Sequence, residues 1–230
     1  MKQILGLIPA RGGSKTVPQK NIRQLLGKPL IAYTIIEALK SKLLNKVMVS
    51  SDDAEIIEIS RKYGAEVPFV RPAELATDES LAIYTVKHAV EFMEQKDSVK
   101  YDYVALLQPT APMRKAKDID RAINKMLELK ADSIASVVDV GAYHPARMKK
   151  IVDERLVNIL DESLTYVRKQ DLPKVYIFNG AIYVARRDII FERDSFQGDR
   201  YVAYIMPAER SANIDTELDF IMAEILMQRY

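Results

Sequence analysis

Apolar residues recur in two rhythms along the first 140 positions of this chain. Residues 4–8 (ILGLI) form a short apolar run that ends at a loop, the pattern of a strand covered on both faces. Over 29–42, Ile31, Ile35 and Leu39 recur every four residues and predict a helix. Residues 46–50 (KVMVS) predict a second strand. Asp52 or Asp53 can cap the helix that follows, and Gly64, after Lys62 and Tyr63, can stop it. Residues 67–70 predict a third short strand. A helix over about 79–95 presents Ile83, Val86, Val90 and Met93 on one face. Then come a strand at 103–107 (YVALL), a helix at 118–130 and a strand at 133–138.

Strands that are continuously apolar, alternating with helices, predict a mostly parallel sheet covered on both faces, a three-layer α/β fold. After Gly141 the rhythm breaks. Residues 143–174 are rich in charge, carry Pro145 and Pro173, and show only weak strand signals. They read as an excursion from the core, a β-arm or a dimerisation element over about 141–176. Strand patterns return at 181–185 and 201–206, and a helix runs from Glu217. The expectation is one domain, 1–230, with an inserted arm.

Composition narrows the chemistry. The chain has 230 residues, 48% hydrophobic, enough to bury a sizeable core. Its 34 basic and 32 acidic residues leave a net charge of +2 and are interspersed, so no nucleic-acid stripe is indicated. The absence of cysteine excludes disulfides, thiolate metal sites and a cysteine nucleophile. No apolar stretch approaches the ~20 residues that span a bilayer. A soluble, cytoplasmic protein is the expectation.

Local clusters of cations therefore say more than the total. The first strand runs into LIPARGGSKTVPQKN (7–21), where Gly12 and Gly13 lie among Arg11, Lys15 and Lys20. Two glycines allow backbone conformations closed to other residues, so that main-chain N–H groups can converge on an anion. Three cations suggest a polyphosphate; the plain alternative is a tight turn with solvated charges. Ser14 precedes Lys15, which excludes a Walker A loop, and the G-x-G-x-x-G pattern is absent.

ARGGSKTVPQKN resembles the opening of the cytidylyltransferases that activate sialic acids, with Thr16 where that family usually has glycine. Further blocks follow in the family's order: VSSDD (49–53), FVRPAELATD (69–78), LLQPTAPMR (106–114), RKQDLPKVY (168–176), NGAIY (179–183) and NIDTELDF (213–220). The resemblance implies a Rossmann-like nucleotide-binding domain whose first loop, Arg11 through Gly12, Gly13, Ser14 and Lys15, holds the triphosphate of CTP. Arg11, Lys15 and Lys20 would neutralise it and Asn21 orient the nucleotide. Arg71, with Asp78 and Ser80 just downstream, would also contact the nucleotide. Asp78 and Ser80 read equally well as a helix N-cap.

For the acceptor sugar the resemblance implies Gln108, Asn179 and Tyr183, with Arg168 and Lys149 contributed by the arm. Tyr183 could instead be core packing, and the two arm cations solvated charges. Arg114 lies in the Gln108 loop, or else opens the next helix as a surface cation. The family's D-x-D, which holds Mg²⁺, is here Asn213 and Asp215. Asp215 is the implied metal ligand and Asn213 a neutral or water-mediated one; Asp215 and Thr216 could also simply cap the last helix. His144 and His88 are assigned no chemistry.

The implied reaction takes CTP and a sialic-acid-type nonulosonate to the CMP-sugar and pyrophosphate, with Mg²⁺, in a homodimer with arm exchange. Arg11, Lys20 and Asp215 would carry the catalysis. Two alternatives stay open. One is a related nucleotidyltransferase with another base or acceptor: legionaminate, pseudaminate, 3-deoxy-octulosonate or a sugar phosphate. The other is a non-catalytic nucleotide-binding protein, which Asn213 keeps in play.

Overall fold

A computed structural model of the chain describes residues 2–160 and 168–230. Strands β1 (Ile4–Pro9), β4 (Lys46–Ser50), β5 (Tyr103–Leu106), β6 (Ser133–Asp139), β9 (Tyr176–Arg186) and β10 (Tyr201–Ile205) form a six-stranded sheet in the order β10-β6-β9-β5-β1-β4. β1 pairs in parallel with β4 and β5, and β6 with β10. β9 alone runs antiparallel, between β5 and β6. The mostly parallel three-layer expectation holds.

Alternation along β1 explains why its sequence is apolar throughout. Ile4 and Ile8 pack with Ile31, Ile35, Ile56 and Ile123, from helices α1 (Leu30–Leu39), α2 (Ala54–Lys62) and α4 (Ala116–Glu128). Leu5 and Leu7 face the other way, onto Val86, Val90 and Met93 of α3 (Ala82–Asp97) and Ile190 of α5 (Arg187–Arg193). Helix α1 has no side-chain cap, no acid in its first turn and no base in its last. Packing holds it: Leu30, Ile31 and Ile35 are fully buried, at about 1.5–3 kcal/mol each, against about 1 kcal/mol for a typical cap. A third cluster joins Phe220 and Ala223 of α6 (Glu217–Arg229) to Val17, Leu25 and Leu30. Leu25 lies in a two-residue strand, β2 (Gln24–Leu25), paired with β3 (Lys28–Pro29).

Asp53 is the cap of α2, accepting from the Glu55 and Ile56 amides, and the helix ends before Gly64 at φ +91°. The strand expected at 67–70 does not form. Glu66 makes a single bridge to Met48, and beyond it Pro68 and Pro72 offer no N–H to a ladder. Residues 181–185 belong to a longer strand, β9, whose antiparallel direction no apolar period reveals.

Within the expected arm, β7 (Lys149–Val152) and β8 (Arg155–Asn158) make an antiparallel hairpin outside the main sheet. Ile151 and Leu156 are 74% and 73% exposed on it. His144 fastens the start of the excursion to its end: Nε2 donates to Pro173 O at 3.0 Å, while Nδ1 accepts from Ala146 N. Residues 161–167 of the arm lie outside the described residues. No helix among the described residues is long and apolar enough to cross a membrane.

Candidate active site

Parallel strands bring their carboxyl ends to one edge of a sheet, where α/β folds bind ligands. Here the loops after β1, β5 and β10, with the stretch that carries Arg71 beside the end of β4, enclose a cavity of about 560 Å³. Arg11, Lys15, Lys20 and Arg71 line it together with Gln108 and Asp215. The cations of the first loop, separated from Arg71 by half a hundred positions, thus surround one space.

Each cation is held differently. Lys20 is largely buried, with 14% of its side chain exposed, and donates to Ile214 O at 2.9 Å, with Asp215 Oδ1 at 3.5 Å. Arg11 is 39% exposed and pairs with Asp78 at 2.8 Å. Lys15 also pairs with Asp78. Arg71 is buried; its Nε donates to Ser50 Oγ at 3.0 Å and its Nη2 to Ser50 O. Burial pulls the Arg71 pKa down, with the Asp52 carboxylate opposing and Arg11 adding to the shift.

Gly12 serves a purpose other than the expected one. Neither Gly12 nor Gly13 adopts a left-handed conformation. Gly12 is needed for close approach instead: a Cβ there would sit 2.6 Å from Asp53 Oδ2. The Gly12 amide donates to Asp52 Oδ1, in the loop after β4, at 3.2 Å, and Ser14 N to Gly12 O at 3.0 Å, so both donors are taken up within the protein. Asn21 is buried and its Nδ2 donates to Arg11 O at 3.0 Å, fixing the backbone from which Arg11 projects.

Neither Asp78 nor Ser80 caps a helix: α3 begins at Ala82 with Leu81 at the cap, and the Ser80 amide donates to Thr77 Oγ1. The Asp215 carboxylate is not the α6 cap either. Thr216 and Asp219 form a reciprocal capping box, leaving Asp215 Oδ2 to accept from Asn213 Nδ2 at 2.8 Å. Asn213 Oδ1 is buried and has no hydrogen-bond partner among the described residues.

Gln108 lines a second, shallower cavity of about 280 Å³ as well as the first. Tyr183, Phe178, Phe196 and Tyr201 wall this second space. Phe178 and Tyr183 lie 5.9 Å apart, centroid to centroid, and Tyr183 and Phe196 6.5 Å. Burial pushes the Tyr183 phenol upward and Tyr201 up to about 12, so both stay protonated donors at neutral pH. Sequence reasoning singled out Tyr183 and missed its three aromatic neighbours, of which Phe178 alone adjoins NGAIY.

Arg114 is neither in the cavity wall nor a surface cation. It is 1% exposed, and Nη1 donates to Gln108 O at 3.2 Å and Ala181 O at 2.6 Å. Burial pulls its pKa down against the attraction of Asp118 and Glu37. Asn179 is buried too and lines neither cavity. Lys149 pairs with Asn158 across the β7–β8 hairpin, and exposed Arg168 likewise lies apart from both cavities within one chain.

The sequence profile described as Cytidylyltransferase matches residues 5–217. The chain belongs to that family. Among its cytidylyltransferase relatives, the pseudaminic acid cytidylyltransferase of Campylobacter jejuni subsp. jejuni serotype O:23/36 (strain 81-176) is 36% identical over 222 residues, covering 96% of this chain and 95% of the relative. The CMP-N,N'-diacetyllegionaminic acid synthase of Legionella pneumophila subsp. pneumophila is 37% identical over 233 residues, covering 98% and 97%. A solved CMP:2-keto-3-deoxy-manno-octonic acid synthetase complexed with CTP superposes with a TM-score of 0.72 at 19% identity, covering 99% of each chain, a likeness of fold.

Proposed function

We propose that this cytidylyltransferase is a CMP-nonulosonate synthetase, joining CTP to a free nonulosonic acid with release of pyrophosphate. One observation carries the reading. A cavity ringed by Arg11, Lys15, Lys20 and Arg71 adjoins an aromatic-walled cavity, and Gln108 belongs to both. The first suits a triphosphate, the second a polyhydroxylated ring, and the shared residue marks where the two reactants would meet. A glutamine amide can donate and accept at once, as such an acceptor requires.

In this reading the acceptor's anomeric hydroxyl attacks the α-phosphorus of CTP, the bond to the β-phosphate breaks, and pyrophosphate leaves. The hydroxyl proton passes to water or a nearby base. Lys20, held low in the cavity by Ile214 O, faces charge that grows on the phosphate oxygens. Arg71, fixed by Ser50, adds a cation that cannot swing away. Positioning supplies much of the remainder.

The donor set at Asn213 and Asp215 fits Mg²⁺ in part. Both offer hard oxygens, and the orphaned Asn213 Oδ1 is an acceptor awaiting a partner. Among the described residues no three His, Cys, Asp or Glu converge on a metal, so nucleotide oxygens would complete the shell. Mg²⁺ held there would offset charge on the triphosphate.

The relatives named for pseudaminic and diacetyllegionaminic acids favour those acceptors over N-acylneuraminate. The exposed apolar hairpin, with Lys149 and Arg168 beyond reach of their own cavity, favours a homodimer in which each arm completes the partner's site. The test is pyrophosphate release with CTP, Mg²⁺ and a panel of pseudaminic, legionaminic and N-acetylneuraminic acids. Release with one of them is expected; CTP binding without turnover on any acceptor would favour the non-catalytic alternative.

A further inference from the structure

We propose that Asn179 is a positioning residue that sets the loop carrying Asn213 and Asp215, and does not itself touch the acceptor. Its side chain is 3% exposed. Oδ1 accepts from Ser136 Oγ at 2.6 Å and from the Ala181 amide at 3.2 Å. Nδ2 donates to Ser211 Oγ at 2.9 Å, and Ser211 Oγ donates onward to Pro207 O at 2.9 Å. Both acceptor sites of Oδ1 are thus engaged and Nδ2 is tied to Ser211, and the side chain, buried and in the wall of neither cavity, does not reach a sugar hydroxyl.

What the amide holds is a distortion in the sheet. The β6–β9 register shifts between Ala135 and Val137, and Ser136 lies in that interval. Opposite it, Asn179 closes an Asx turn on Ala181 around Gly180, which sits at φ +72°. A Cβ on Gly180 would lie 2.7 Å from Gln108 Oε1 and 2.9 Å from Asn213 Oδ1. The bare turn is therefore the floor on which two cavity amides rest. Arg114 grips the same turn through Ala181 O and the Gln108 loop through Gln108 O.

Three segments that meet at the cavity, 108–114, 179–181 and 207–215, are cross-tied by buried polar groups. Ser211 is the only described side chain bonding Asn179 to the third of them. From Ser211 the chain reaches Asn213 in two residues, and Asn213 Nδ2 orients the Asp215 carboxylate at 2.8 Å. A displacement of Asn179 would reach Asp215 by this route with no contact to any ligand. Buried polar networks of this kind are worth more than the sum of their pairwise bonds, so losing one member loosens the others.

The functional readout rests on the proposed CTP site; a second readout does not. Asn179→Ala, Ser211→Ala and the double variant are compared with parent for Mg²⁺–CTP affinity by calorimetry without acceptor, acceptor KM, and hydrogen exchange of amides 212–216. Ser211→Ala removes the hydrogen bonds to Asn179 and Pro207 and should weaken Mg²⁺–CTP by about two-fold to ten-fold. It should also speed exchange at 212–216 and leave acceptor KM unchanged. The double variant should be no worse than Asn179→Ala, because both act along one path. Asn179→Asp, which keeps the acceptor oxygen for Ser136 and Ala181, should recover part of the loss if Asn179→Ala folds poorly. The proposal is overturned if Ser211→Ala leaves exchange unchanged, or if Asn179→Ala raises acceptor KM alone with Mg²⁺–CTP affinity intact. A parent that binds no CTP would sink the functional reading, and the exchange comparison would still decide this one.

Discussion

By residue type Arg11 and Lys20 carry equal weight; their surroundings separate them. Lys20→Ala removes a charge of which only 14% of the side chain meets solvent, at the inner end of the cavity. Two unit charges 4 Å apart interact by about 4 kcal/mol at an effective dielectric near 20. Part of that is offset in the free protein, where Asp215 Oδ1 already sits 3.5 Å away. The expected loss of transition-state stabilisation is about 2–4 kcal/mol, or about thirty-fold to about a thousand-fold in kcat/KM. Arg11→Ala removes a side chain 39% exposed and already paired with Asp78, so solvent screening holds its effect to a few-fold. Losing the bond to Ile214 O should lower the melting temperature of Lys20→Ala by about 2–4 °C, which leaves the fold intact at assay temperature. The assay is initial-rate pyrophosphate release at varied CTP. If Lys20→Ala keeps kcat/KM within three-fold of parent, or Arg11→Ala falls as far as Lys20→Ala, the assignment of Lys20 as the principal phosphate cation is wrong.

Asp78 holds Arg11 and Lys15 together, so a triphosphate must compete with it; Asp78→Asn should tighten CTP several-fold at low salt and less at high salt. Weaker binding in that variant would show instead that Asp78 contacts the nucleotide directly. Asp215→Ala should abolish Mg²⁺-dependent turnover, while Asn213→Asp, which faces a second carboxylate across a present 2.8 Å hydrogen bond, should reach half-maximal rate at lower Mg²⁺; a Mg²⁺ titration at saturating CTP reads both. Burial pushes the Asp118 carboxyl upward, yet hydrogen bonds from Arg210 and the Lys115 amide outweigh it and hold the group below its ordinary value. Its folded pKa being depressed, its contribution is present above the unfolded pKa near 4 and is lost as pH falls below it. Urea unfolding of Asp118→Asn should show a large deficit at pH 7 that shrinks below about pH 4; a deficit constant with pH would refute the charge argument. Sedimentation should show a dimer, and mixed Lys20→Ala and Arg168→Ala subunits should regain activity; a monomer at working concentration would refute arm exchange.

The strands that formed where apolar runs placed them, β1, β4 and β5, are buried on both faces, and such burial writes itself as unbroken hydrophobicity. Residues 67–70 carry similar residues, but Pro68 and Pro72 withhold the donors that would make them a strand. The direction of β9 leaves no trace in its composition, because its inner residues are equally buried whichever way it runs. Arg11, Lys15 and Lys20 were legible because charge after a buried strand has few structural uses. Arg114 was not, since a guanidinium enclosed by carbonyls looks in sequence like any other arginine. Phe178, Phe196 and Tyr201 come from two strands and a loop, and only the fold makes them neighbours.

The lone antiparallel strand also orders events on the ribosome. β4, β1 and β5 are complete once the chain has passed residue 106, with α1 to α3 available to cover them. β6 follows soon after but pairs with β10 and β9, never with β5. Until residue 186 is made, the outer edge of β5 stays an open template, and the arm must be threaded out before β9 can return. The nascent protein therefore passes through a stage in which a three-stranded half-sheet and an unpaired β6 wait for a keystone, when an exposed edge can recruit a wrong strand. A chain stopped anywhere between β6 and β9 should be a client for chaperones rather than a smaller working domain.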